Sequence, residues 1–242
     1  MENLPSSLPL DLSSLWLNAA GTLGYAPGPA WNWPMPQGAF LTNPISLHHR
    51  TPAHNRAAIT YPGGALLHSG LPNPGLRRVL RAHAATWKRS SLPVWPYLFG
   101  EPKEIAAMSR TLEEVEGVAA LEISIPIEAD AALAQNLLQA ARGELPLIAC
   151  LPLQLARLDW LPTLASAGAS AIHLDAPRGQ IGSTPGRLVG PGLLPLVMDA
   201  LQAALACGLP LIAGGGVFTV EDGEGLLKAG ALAVAVDAAL WR

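Results

Sequence analysis

The chain has 242 residues, half of them hydrophobic and 14% charged, with a formal net charge of −3. That balance supplies a core for one large domain, excludes a disordered chain, and lacks the basic stripe that nucleic-acid binding requires. Two cysteines, Cys150 and Cys207, both in apolar runs, exclude a disulfide framework and a cysteine-rich zinc module.

Glu2 and the prolines at 5 and 9 break the basic-then-apolar pattern of a secretory leader. Short strand candidates follow at 15–20 and 39–42. Residues 45–68 are too long and polar for a plain connection, and read as a hairpin-like insertion. From 94 onward strand and helix alternate: strand 94–99, helix 102–116, strand 118–125, helix 129–142 stopped by Gly143, strand 147–151, helix 153–167 ended by Gly168, and strand 171–174. A polar, glycine-rich loop at 178–190 leads into a helix reaching about Cys207. The most apolar window, 192–213, is broken by Asp199, Gln202 and Pro210, so it reads as helix plus strand rather than a membrane span. A strand at 209–213, the glycines Gly214, Gly215 and Gly216, a helix opening near Thr219 and a strand at 231–236 close the series. Repeated βα units of this kind make a single (β/α)8 TIM barrel, here ending before a final helix of ordinary length. The flank beside the last strand then needs another cover, either the N-terminal segment or a second subunit. A soluble, cytoplasmic protein with no membrane or nucleic-acid partner is expected.

Glycines between a strand and a helix N-terminus can cradle a phosphate on backbone N–H groups, and Asp237 at the end of the next strand argues against one. Several segments resemble the dihydroorotate dehydrogenase family. Asn18-Ala19-Ala20-Gly21-Thr22-Leu23-Gly24-Tyr25 resembles its first strand and the glycine turn under the flavin, and Gly38-Ala39-Phe40-Leu41-Thr42 its second strand. Residues 63–75 (GGALLHSGLPNPG) resemble its most distinctive stretch, Gly190-Pro191 its helix opening, and Gly214 to Gly216 its phosphate glycines. The resemblance implies a barrel that binds FMN at its C-terminal mouth and oxidises dihydroorotate to orotate, with a Cys or Ser base.

Position by position, the matched residues depart from that pattern. Asn43 stands where the family has a lysine after the second strand, and Leu67 where it has a substrate asparagine. In Leu121-Glu122-Ile123-Ser124-Ile125-Pro126-Ile127, Glu122 replaces the first asparagine, Ile125 the base and Ile127 the second asparagine. Cys150 replaces the flavin lysine, Asp175 an asparagine, and Asp237-Ala238 the Gly-Thr beside the phosphate. Isoleucine transfers no proton, so no catalytic base is intact at that position. Ser124 is disfavoured as a substitute because neighbours on a strand face opposite sides. With no Lys or Arg among the matched positions, Glu122, Asp175 and Asp237 face the FMN phosphate and orotate unopposed; two like charges ~5 Å apart repel by roughly 3 kcal/mol at an effective dielectric of 20. The flavin positions Ala20, Gly21, Thr42, Asn43, Glu122, Cys150, Asp175, Gly190, Gly214, Gly215, Gly216 and Asp237 are therefore read as inherited geometry. No cofactor is expected, with FMN as the alternative, and no metal. Asn43, Glu122, Cys150, His173 and Asp175 read as a disused pocket rather than a metal or substrate site. His48, His49 and His54 read as a solvated loop, and Trp16, Trp31 and Trp33 either as an exposed face or as a lid over the barrel. The sequence points to a non-catalytic scaffold or regulatory subunit, with a homo-oligomer or protein partner near Trp241; a divergent FMN oxidoreductase is the alternative.

Overall fold

The structure is a computed structural model that describes residues 10 and 12–241. Glu2, Pro5, Pro9 and Arg242 lie outside the described residues. Strands β1 (Trp16–Asn18) and β2 (Gln37–Leu41) open the chain, followed by the hairpin β3 (Ala57–Tyr61) and β4 (Gly64–His68) and helix α1 (Leu76–Arg89). Next come β5 (Val94–Trp95), β6 (Tyr97–Leu98), α2 (Pro102–Glu113), β7 (Leu121–Ser124), α3 (Ala131–Ala141), β8 (Leu147–Pro152), α4 (Thr163–Ala167) and β9 (Ala169–Asp175). A second hairpin, β10 (Arg178–Ile181) and β11 (Thr184–Val189), precedes α5 (Leu194–Ala204), β12 (Leu211–Gly214), α6 (Val220–Lys228) and β13 (Ala233–Val236). Among the described residues no helix is long and apolar enough to cross a membrane.

Nine strand segments form one sheet in the order β5-β2-β1-β13-β12-β9-β8-β7-β6, with every pairing parallel. β5 and β6 are two halves of one strand, interrupted at Pro96, which has no N–H to give a ladder. Joined through that break, the segments form the eight-stranded (β/α)8 barrel. Side chains alternate across each strand, so Leu17, Ala39, Leu41, Trp95, Ala120, Ile148, Ala171, Ile212 and Ala233 share one cluster inside the barrel, closed at the bottom by Leu10 and Leu12. The larger cluster, with Leu121, Ile123, Leu151, Leu174, Val234 and Val236, packs the strands against the helices.

Three elements differ from the sequence reading. The helix α1 was not anticipated, although Leu76, Val79 and Trp87 give it a buried stripe. The expected helix over 153–167 is a 3-10 turn, Leu153–Arg157, and the short α4, because Pro162 breaks the run. The expected loop at 178–190 is the β10–β11 hairpin, turning at Gly182-Ser183. It joins β4 and β3 in a four-stranded antiparallel sheet, ordered β10-β11-β4-β3, which lies over the C-terminal mouth.

Of the two covers expected for the flank beside β13, the N-terminal segment supplies it. Val234 and Val236 are fully buried, and Trp16, paired in register with Val234, is 3% exposed. Trp33 tilts against Trp16 at 5.8 Å between ring centroids, and Leu23, Tyr25, Trp31 and Met35 pack on the same cluster. The tryptophans near the N-terminus are thus packing residues. The Trp16 ring lies against α6 at Gly223, where an added Cβ would come within 2.2 Å of it; Gly225, in the same helix, has nothing within 4 Å. Gly223→Ala is expected to destabilise the fold by about 1–3 kcal/mol through overpacking, whereas Gly225→Ala stabilises it by up to ~1 kcal/mol through helix propensity. Urea unfolding of the two variants measures both, and equal effects would contradict the Trp16 packing.

Candidate active site at the barrel mouth

Alternation along the strands carries the interior from aliphatic at the bottom to polar at the top. Above Ala120, Ile148, Ala171 and Ala233 stand Glu122, Cys150, His173 with Asp175, and Asp237. Glu122 and Asp237 are 0% exposed, His173 1%, Cys150 3% and Asp175 8%. Charges so buried persist only when paired and hydrogen-bonded.

The pairs are present. Glu122 Oε1 bonds His173 Nδ1 across β7 and β9. Asp175 accepts from Arg187 on β11 at 2.9 Å and from Arg178 on β10 at 3.4 Å. The same Arg187 guanidinium stands 3.7 Å from Asp237 Oδ2, and Asp237 Oδ1 accepts from the Ala238 N–H at 2.5 Å. Three acids thus face three basic groups. The expectation of unopposed negative charge is overturned, because the arginines come from the segment read as a loop. The Gly182-Ser183 pair is a two-residue hairpin signal, but Gly179, Pro185 and Gly186 in its flanks mask the strands.

The electrostatics follow from these partners. Burial alone would raise the Asp175 carboxyl, but Arg187 and Arg178 outweigh it and hold it below its ordinary value. Burial disfavours the His173 imidazolium, and Glu122 with Asp175 reverses that, leaving it raised. Burial pushes Asp237 up, only partly offset by Arg187. Burial, then the Glu122 and Asp175 charges, push the Cys150 thiol well up. Four buried polar atoms at the mouth have no hydrogen-bond partner: Glu122 Oε2, His173 Nε2, Arg187 Nε and Asp237 Oδ2.

The remaining matched positions serve the backbone. Asn43 binds Gly24 twice, Nα donating to its carbonyl at 2.6 Å and Oδ1 accepting its N–H at 3.1 Å, and so pins the glycine turn that contains Gly21. Thr42 Oγ1 donates to the Asn43 carbonyl and accepts from the Tyr97 N–H. Asn18, missed as a structural residue, clamps β1 to β2 through both Leu41 backbone groups at 2.7 and 3.0 Å. Ala20 is half-buried, and Leu67 on β4 pairs in register with Arg187. Ile125 is 1% exposed and belongs to the outer cluster between barrel and helices. Ser124, two residues after Glu122, is on the mouth side instead, and accepts from the Tyr97 hydroxyl at 2.8 Å. The strand-alternation argument against Ser124 therefore reverses. His48 and His49 are exposed and line a surface depression with Arg77 and Arg78, which none of the buried mouth residues lines.

The side chains at these positions differ from those the family resemblance implies for FMN. Glycines matched to its phosphate contact are required by close packing within the chain: a Cβ on Gly214 would lie 2.7 Å from His173 Nε2, on Gly216 2.5 Å from the Leu194 nitrogen, and on Gly190 2.3 Å from the Gly63 carbonyl oxygen. Of the flavin positions, Glu122, Cys150, Asp175 and Asp237 are buried, whereas Ala20 and Asn43 are half-buried and Gly21 is exposed. Arg187→Met, which strands Asp237 and leaves Asp175 with Arg178 alone, is expected to cost about 3–5 kcal/mol. In an Asp175→Asn background the same change should cost less by at least ~1 kcal/mol. Because Asp175 is held below its unfolded value, its contribution is present above that value and disappears as pH falls through the folded one. Urea unfolding at several pH values tests both statements.

No protein-family model matches the chain. It is 29% identical, over a 258-residue alignment covering 95% of this chain and 84% of the relative, to the catalytic subunit of dihydroorotate dehydrogenase B (NAD(+)) of Desulforudis audaxviator. The same-named protein of Pelobacter propionicus is 28% identical with the same coverage, and that of Pyrococcus furiosus 27% identical over 84% of this chain and 75% of the relative. In three dimensions the chain resembles the dihydroorotate dehydrogenase of Eimeria tenella, solved with ferulenol, with a TM-score of 0.78 and 13% identity over 94% of this chain and 76% of that one. Strand order, helix placement and chain-long likeness agree: this is a TIM barrel similar to the dihydroorotate dehydrogenases.

Proposed function

We propose that this chain is a non-catalytic member of the family, without FMN, that serves as a scaffold or regulatory subunit. One observation carries the reading. The positions matched to flavin and substrate contacts are buried under the β10–β11 hairpin in two paired groups, Glu122 with His173 and Asp175 and Asp237 on Arg187, with Cys150 buried beside them. Ile125, at the position matched to the base, has no group that can accept a proton. The relatives named as catalytic subunits support a role inside an assembly. With the β13 flank covered, the surface available for a partner is the indole of Trp241, 48% exposed and tethered through Nε1 to the Thr22 carbonyl at 3.2 Å. A large exposed aromatic side chain is a common anchor in protein interfaces.

A second reading has its own support. The chain-long likeness to catalytic subunits and the Ser124–Tyr97 hydroxyl pair on the mouth side favour an FMN oxidoreductase of altered substrate, with Ser124 as its proton acceptor.

The purified full chain is expected to be colourless, to gain no flavin on titration with FMN, and not to oxidise dihydroorotate. A stoichiometric flavin band would overturn the FMN-free reading, and its loss of turnover in Ser124→Ala would establish the second one. For the assembly, native mass spectrometry should detect an oligomer or a co-purifying protein that Trp241→Glu releases; a strictly monomeric wild type with no bound protein would refute it.

A further inference from the structure

Three side chains inside the barrel hold chemistry that the paired network does not use. Glu122 on β7, Cys150 on β8 and His173 on β9 come from adjacent strands, and each is 3% exposed or less. One carboxylate oxygen, the thiol sulfur and one imidazole nitrogen lie within 4.8 Å of one another. The Glu122–His173 bond uses one atom of each partner, and Glu122 Oε2 and His173 Nε2 remain buried without a partner. Such atoms in a folded interior ordinarily face a water or an ion.

From this we infer that Glu122, Cys150 and His173 form a binding site for one borderline-soft divalent cation of the zinc class. The donor set decides the class. A sulfur, a nitrogen and an oxygen suit zinc-like ions, whereas calcium wants six to eight oxygens and magnesium an octahedral oxygen shell. Three protein ligands leave the fourth tetrahedral position to a non-protein ligand. The thiol S–H bond breaks and its proton leaves as the metal–sulfur bond forms. The imidazole binds through a nitrogen lone pair, any proton on that nitrogen passing to solvent, and no electron changes hands. Asp175, on the same face of β9 as His173, stays with Arg187 and Arg178, so the arginines do not compete for Glu122. The cation would tie three neighbouring strands together at the top of the barrel. This site goes beyond the scaffold reading and does not rest on it, because flavin absorbance decides that reading and metal content this one.

The test uses the full chain dialysed against chelator and then titrated with Co(II). A thiolate-to-cobalt charge-transfer band saturating at one equivalent is expected, with zinc displacing the cobalt. Cys150→Ser should abolish the band, and His173→Gln should weaken binding by at least about tenfold. Cys207→Ser should leave it unchanged; as the chain has two cysteines, a band surviving in that variant arises from Cys150 even where Cys150→Ser fails to fold. Absence of a charge-transfer band at one equivalent would overturn the proposal. So would its loss in Cys207→Ser, or cobalt binding that disappears only when His48, His49 and His54 are replaced.

Discussion

A charge placed inside a β-barrel has to be answered by a partner within hydrogen-bonding reach, and here Arg187 supplies most of that answer. Its guanidinium stands between Asp175 and Asp237 at the top of β9 and β13; without it Asp237 would be buried with no counter-ion and Asp175 would keep only Arg178 at 3.4 Å. A planar fork of five donors suits two carboxylates better than a lysine ammonium could. The residue sits on β11, whose register with β4 fixes the covering sheet, so the ionic pairing also holds the roof to the barrel. Electrostatics and topology are thus set by the same side chain.

The barrel was legible because its strands are short apolar runs alternating with helical patterns, and the matched positions were legible from the family resemblance. Their partners were not. Arg178 and Arg187 lie in a stretch containing Gly179, Gly182, Pro185 and Gly186, whose composition resembles a loop. Antiparallel pairing with β4, remote in sequence, makes strands of it, and local propensity carries no record of such pairing. Ser124 and Ile125 show a subtler limit. The rule that neighbours face opposite sides was sound, but which of the two faces the mouth depends on the register of Glu122, which only the barrel geometry supplies. The tryptophans give the same lesson in packing. Sequence identified Trp16 and Trp33 as notable without a surface to place them on. Pairing of Trp16 with Val234 makes them the cover of the β1–β13 seam.

The glycines invite a functional explanation that close packing makes unnecessary. Gly214 admits the His173 ring, Gly216 the start of α5, and Gly190 the turn between β3 and β4. Each would be required in this fold whatever the mouth binds. Their presence is therefore consistent with descent from a phosphate site and is no argument for a working one. The informative residues are those that local backbone geometry does not demand: Glu122, Asp175 and Asp237.

Those three acids bear on how strongly a flavin could still bind. On the FMN-free reading proposed above, admitting FMN would open the paired groups under the β10–β11 hairpin and separate Arg187 from at least one of its acids. Breaking one buried pair costs about 3–5 kcal/mol. Since each ~1.4 kcal/mol is a factor of ten in affinity, a site that would otherwise hold its ligand at nanomolar concentration would fall to roughly micromolar. Phosphate could recover part of that by taking Arg187 as its own partner, but the released carboxylate would then stand beside it as a like charge. The arginine that stabilises the closed mouth thus cannot serve the phosphate without exposing the acid it neutralises. That coupling, more than the loss of any single contact, separates this mouth from one built around an anion.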